Sequence, residues 1–127
     1  MKDLETRADV ILLVDTFYTK VKSNPVIGYI FTEVAALDFE THLPKMYDFW
    51  CSMLLGEQSY SGNPMTPHLV LSQKIKLSSV HFDEWLLLFN ETVDTLFEGE
   101  IANNAKYRAK NIAGLMLYKI EQQYIGL

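Results

Sequence analysis

Residues 103–124 read NNAKYRAKNIAGLMLYKIEQQY, and this stretch decides the fold. Ala105, Ala109, Ile112, Ala113, Met116, Leu117, Ile120 and Tyr124 fall at i, i+4, i+7, i+8, i+11, i+12, i+15 and i+19. That is the stripe of one long amphipathic helix. The same period recurs upstream. In a helix starting after Thr6 and running to about Lys22, Ile11, Val14, Tyr18 and Val21 repeat with Val10, Leu13 and Phe17 beside them, and Ser23-Asn24-Pro25 stops the run. A short helical turn is expected over 26–31, loosened by Gly28. A helix from Phe39 to Leu55, capped by Asp38 and ended by Gly56, puts Phe39, His42, Met46, Phe49, Trp50 and Met53 on one face. Pro44 predicts a kinked or separate first turn there. Residues 56–63 form a loop, 65–71 a brief helix, and 72–78 an exposed connection. Ser78 or Ser79 caps a further helix with Asp83 and Glu84 in its first turn and Phe82, Trp85, Leu86, Phe89, Val93, Leu96 and Phe97 on its apolar face. Gly99 ends it. Nothing reads as a strand pair, so the class is all-α.

A chain of 127 residues implies one domain. Its net charge is −5 and its cations are scattered, which excludes a nucleic-acid partner. The lone Cys51 cannot form an internal disulfide and points to a reducing compartment. The first residues, MKDLETRADV, lack the apolar segment of a secretory leader, and no apolar run is long enough for a bilayer. A cytoplasmic monomer that avoids membranes is the expectation. Aromatic residues make up 13% of the chain, enough to line a flat ligand as well as fill a core.

The chemistry centres on residues 62–71, GNPMTPHLVL. Pro64 and Pro67 belong in a loop or at a helix start, where a missing N–H costs nothing. His68 then sits on the first turn of a short helix, able to aim one imidazole at a fixed point. It reads either as a structural histidine or as the single neutral imidazole that haem iron accepts. His42 reads either as a half-exposed residue near a helix start or as a group over the opposite face of such a haem. Tyr18 and Trp85 are either core aromatics or donors to a bound gas. A charge-assisted bond of that kind is worth about 1.5–3 kcal/mol. His81 competes with His68 as a ligand, but its place at a helix start suits the surface or a haem propionate better, as do Lys74 and Lys76. There is no HExxH, CxxCH, Gly-rich phosphate loop or GxSxG elbow in the sequence. The alternatives are a cofactor-free helical interaction module and a non-porphyrin zinc or iron site built on the histidines.

Several segments together resemble the group III truncated haemoglobins from about Ala8 to Tyr124. They are Phe17-Tyr18, IGYIF at 27–31, HLPKMYDFW at 42–50, LLG at 54–56, YSGNPMTPHLVL at 60–71, HFDEWL at 81–86 and RAKNIA at 108–113. The lack of Gly-Gly helix breaks agrees with that branch. The resemblance implies a shortened globin fold, a two-on-two helical sandwich around haem b. It implies His68 as the proximal metal ligand and Tyr18, His42 and Trp85 as the distal set. Phe31 would pack on the haem edge, with Met46, Phe49 and Trp50 lining the pocket. A diatomic gas (dioxygen, nitric oxide or carbon monoxide) is then the ligand. Chemistry such as nitric oxide dioxygenation or peroxide reduction would need an electron donor or reductase, for which the sequence shows no domain. Phe39 departs from the pattern, standing where such proteins often carry Trp.

Overall fold

The computed structural model describes residues 1–36, 38–62 and 75–125, the last three by backbone alone. His68, the helix expected at 65–71, Lys74 and the side chain of Tyr124 lie outside the described residues. What is described is helical, with no strand among it: α1 Arg7–Lys22, a five-residue π-helical turn Ile30–Val34, α2 Phe39–Leu55, α3 Ser79–Leu96 and α4 Glu100–Ile125.

α1 and α2 each have a local reason to begin where they do. Thr6 and Asp9 form a reciprocal capping box at the start of α1: the Asp9 N–H donates to Thr6 Oγ1 at 3.3 Å and the Thr6 N–H to Asp9 Oδ2 at 3.1 Å. Asp38 caps α2 by accepting from the Glu40 N–H at 3.1 Å, and left-handed Gly56 closes that helix. Pro44 lies inside α2, which runs through it as one helix rather than splitting off a first turn. The bond that Pro44 cannot donate falls on an exposed stretch, where water can satisfy the Glu40 carbonyl.

Two boundaries and one first-turn assignment differ from the sequence reading. The turn expected at 26–31 is displaced, because Asn24 Oδ1 accepts from the Val26 and Ile27 N–H groups and holds that segment in a side-chain-capped turn. Helical geometry then follows as the π turn, closed by the Ala35 N–H donating to the Ile30 carbonyl at 2.8 Å. α3 takes Ser78 as its cap, one of the two serines the sequence offers, but Asp83 and Glu84 fall in its second turn and not its first. α4 begins at Glu100 rather than Asn103, because its cap comes from the other end of the chain. Asp3 accepts from the Ile101 N–H at 2.9 Å and the Ala102 N–H at 2.8 Å.

α1 is the hub, with Val10, Leu13, Val14, Phe17, Tyr18 and Val21 all buried. It packs on α2 and on α3, and α3 packs on α4, while α2 meets α4 only lightly. Two helix pairs are therefore joined through α1, with a slot left between α2 and the α3–α4 pair. Arg7 ties the rim of the first pair, donating to Asp48 at 2.6 Å and Glu57 at 3.0 Å.

Candidate functional site

The slot is a cavity of about 630 Å³. α1 gives it Phe17 and Tyr18, the π turn gives Ile30 and Phe31, and α2 gives one face from His42 to Trp50. α3 contributes His81, Phe82 and Trp85, and α4 contributes Ile112, Ala113 and Met116. Tyr18, Phe31, His42, Met46, Phe49, Trp50, His81 and Trp85, chosen from sequence, thus converge on one space although they come from four elements. Helical spacing explains most of the convergence: Tyr18 on α1, His42, Met46, Phe49 and Trp50 on α2, and Trp85 on α3 are inner residues of stripes that face one another.

Tyr18 and His42 are in contact. Tyr18 Oη lies 3.2 Å from His42 Nε2, with the two rings perpendicular at 5.4 Å between centroids. Burial pushes the Tyr18 hydroxyl well above the usual tyrosine range, so it stays protonated and able to donate. Phe39 presents its ring at 6.0 Å from Tyr18 and 6.4 Å from His42, and Lys22 Nζ sits 4.1 Å from the Phe39 centroid. The ring at the departing position therefore packs on the Tyr18–His42 pair, with a cation over it.

Trp85 is held by stacking. Its ring lies 5.6 Å from Phe89 at 11° between planes, and Trp50 stacks near Phe89 at 4.9 Å and 22°. Phe17 meets Trp85 edge-on at 5.7 Å. Phe89 is thus the filling between two tryptophans that both line the cavity.

His81 has one nitrogen committed. The Ser78 N–H donates to His81 Nδ1 at 3.0 Å. A nitrogen that accepts carries no proton, so in the neutral ring the proton is on Nε2. This fixes His81 as a donor.

Sequence reading missed several lining residues. Leu77 is buried and lines the cavity, where the stretch 72–78 read as an exposed connection. One leucine among polar neighbours has no period to reveal it. Tyr60, Ser59 and Ser61 enter from the loop after α2, and Tyr60 packs on Phe49 at 5.2 Å between centroids. Lys45 and Asp48 add charge on the α2 side. Cys51 is buried outside the cavity; burial first, then Glu57, pushes its thiol up to about 11, which keeps it unreactive. Among the described residues no helix is long and apolar enough to cross a membrane.

Comparison with known proteins places these features in a family context. Residues 4–117 match the model of the bacterial-like globins. The group 3 truncated hemoglobin ctb of Campylobacter jejuni is 34% identical over 113 residues, covering 84% of this chain and 87% of that protein. The crystal structure of a group III truncated hemoglobin from Campylobacter jejuni superposes with a TM-score of 0.82, at 31% identity, over 94% of this chain and 95% of that one.

Proposed function

This chain belongs to the bacterial-like globins, within the group III truncated haemoglobins, and on that premise we propose that it holds haem b between its helix pairs, binds a diatomic gas there reversibly, and acts on that gas rather than delivering it. The cavity fits the group. Its volume of about 630 Å³ and its aromatic and aliphatic walls suit a flat, mostly apolar cofactor with few polar contacts. When bound, haem supplies an iron that takes a diatomic ligand and exchanges electrons with it.

The chain's own residues supply the rest. His68 is the metal ligand in this reading. His81 does not take that role in this reading, since an Nδ1 that accepts at the start of α3 favours the proton on Nε2. That Nε2–H suits a carboxylate instead, as a partner for a propionate. Phe31, Met46, Phe49 and Trp50 hold the ring and exclude water. Tyr18, His42 and Trp85 face the gas, and the buried Tyr18 hydroxyl is the donor that does not titrate in the physiological range.

The observation that carries the proposal is the convergence of Tyr18, His42 and Trp85 on one apolar cavity. Donors of this strength slow gas release, which suits chemistry such as nitric oxide dioxygenation or peroxide reduction with an electron donor. An ultraviolet–visible spectrum of the purified protein, supplied with haem b, tests it. A Soret band that His68→Ala abolishes or shifts is the expected result. A protein that takes up no haem overturns the reading in favour of an interaction module.

A further inference from the structure

The outer face of α4 has a composition unlike the rest of the chain. Of the eleven Lys and Arg, four lie between Ile101 and Ile120, a run that holds none of the sixteen Asp and Glu. Lys106 is neutralised by Asp94 at 2.6 Å. Arg108, Lys110 and Lys119 are exposed and form no ion pair among the described residues. Between and beside them stand Tyr107, Leu115 and Tyr118, each more than half exposed at 65%, 52% and 57%. Tyr107 and Tyr118 are eleven residues apart, three helical turns. Arg108, Leu115 and Lys119 follow at i, i+7 and i+11 alongside them. The result is an aromatic stripe edged with cations that form no ion pair among the described residues, about 18 Å long at 1.5 Å per residue. The inner face of the same turns presents Ile112, Ala113 and Met116 to the cavity. A molecule seated on the stripe is separated from the cavity by one helix, about 10 Å thick.

We propose that this face is the docking surface for an acidic one-electron carrier protein. The inference rests on the reading above that a haem in the cavity needs an electron donor. Charge complementarity selects the partner: a cation-edged stripe on a chain of net charge −5 favours a protein with a concentrated acidic patch. A second copy pairing through the same face would set like charges against each other. Three cations are too few to hold a phosphate backbone or an anionic bilayer against the overall charge. The aromatic stripe supplies the contact area and the cations the steering. In the docked pair the carrier would give up one electron and be itself oxidised, and a haem held in the cavity would take that electron up as its iron goes from ferric to ferrous.

The test uses the haem-loaded protein, a reduced plant-type [2Fe–2S] ferredoxin as the acidic carrier, and the variant Arg108→Glu/Lys110→Glu/Lys119→Glu. Stopped-flow absorbance follows reduction of the ferric form at low and high salt. The expected result is a second-order rate at least about tenfold lower in the variant at low salt, with its salt dependence largely gone. Amide shifts on adding oxidised ferredoxin, read by NMR, should cluster on 107–119 in the parent and vanish in the variant. Dithionite provides a control that needs no docking. If dithionite yields a ferrous spectrum in both proteins and the ferredoxin rate is unchanged, the docking proposal falls while the haem reading stands. If neither protein shows a haem spectrum, the haem reading falls, and the NMR shifts alone decide whether the surface docks an acidic protein. Shifts that map elsewhere, a parent dimer that the variant dissolves, or binding to phosphatidylglycerol vesicles without binding to ferredoxin each overturn the proposal.

Discussion

Tyr18 on α1 and His42 on α2 share a hydrogen bond of 3.2 Å between Oη and Nε2. The bond runs in one of two directions. If His42 Nε2 accepts, the Tyr18 proton is spent on the imidazole. If Nε2–H donates, the Tyr18 hydroxyl is released to donate into the cavity. The two residues are therefore one unit, and their effects on a bound gas are coupled.

Tyr18→Phe should speed dioxygen dissociation by about 10- to 150-fold, the kinetic equivalent of one charge-assisted bond of about 1.5–3 kcal/mol. Combined with His42→Ala, the effect should be non-additive by about 0.5–3 kcal/mol, as expected for residues in contact. Stopped-flow displacement of dioxygen measures both. An unchanged rate in Tyr18→Phe removes the hydroxyl from the ligand's environment.

The inner stripes of α1, α2, α3 and α4 were legible because a helix repeats its buried face. Val14, Tyr18 and Val21 announce one another, as do Ala109, Ala113 and Met116. Asp38 and Gly56 were legible because caps are local chemistry. Leu77 was not, since a lone apolar residue on a connection has no neighbour in register. The start of α4 was hidden for a different reason: its cap, Asp3, is nearly a hundred residues away in the chain. The displaced π turn depended on whether Asn24 would turn its side chain onto the backbone, which the sequence offers only as one option among several.

Phe89 should be the costliest single truncation in the core. It is 1% exposed and stacked between Trp50 and Trp85. Phe89→Ala opens a cavity there at about 3–5 kcal/mol. Phe89→Leu keeps most of the volume and should cost less than about 1.5 kcal/mol. It still removes both stacking faces, so ligand kinetics should change through Trp85 while the fold holds. Denaturant unfolding gives the first quantity and gas dissociation the second.

Gly99 and Asp3 form a junction in which each constrains the other. Gly99 has φ 144°, a conformation L side chains rarely adopt, and a Cβ there would lie 2.5 Å from Asp3 Cγ. Gly99→Ala should therefore cost about 1–3 kcal/mol through backbone strain, and more where it expels the Asp3 carboxylate from α4. Asp3→Ala should cost about 1–2 kcal/mol as a lost cap. Thermal unfolding of both variants checks these values.

The same junction predicts an acid sensitivity. Burial pushes the Asp3 carboxyl up, but the N–H groups of Ile101, Ala102 and Leu4 outweigh it and hold it below its ordinary value of 3.8. A carboxyl depressed in the folded state contributes stability that is fully present above that ordinary value. The contribution is lost as pH falls through the lower folded value. Burial likewise raises Asp9, and Lys2 with the Glu5 and Thr6 N–H groups brings it below the ordinary value, so it acts in the same window. Asp3→Asn, which cannot titrate, should show a shallower loss of stability below that pH than the parent. Equal slopes would remove Asp3 from the acid response.

Haem removal should loosen the molecule. α2 meets α4 only lightly across the slot, so the cavity walls depend on what fills it. A ligand that binds only the folded state at about a thousand times its dissociation constant adds about 4 kcal/mol. The haem-free protein should melt at least about 10 °C lower. Equal melting temperatures with and without haem would count against a cofactor in the slot.

The two histidines proposed for different duties can be separated by substitution. His81 Nδ1 accepts from the Ser78 N–H, and a metal bond through Nε2 would need the proton moved to Nδ1, where it would face that same N–H. His81→Gln can still accept at the start of α3 while removing the imidazole. It should leave the Soret band and the iron's coordination in place. If Nε2–H holds a propionate, haem loss to apomyoglobin should speed up by about three- to tenfold, the worth of one modest hydrogen bond. His68→Ala should instead abolish or shift the Soret band, and added imidazole should restore it. The reverse pattern, with His81→Gln altering the coordination and His68→Ala leaving it alone, would exchange the two roles and show that α3 can start without its histidine cap.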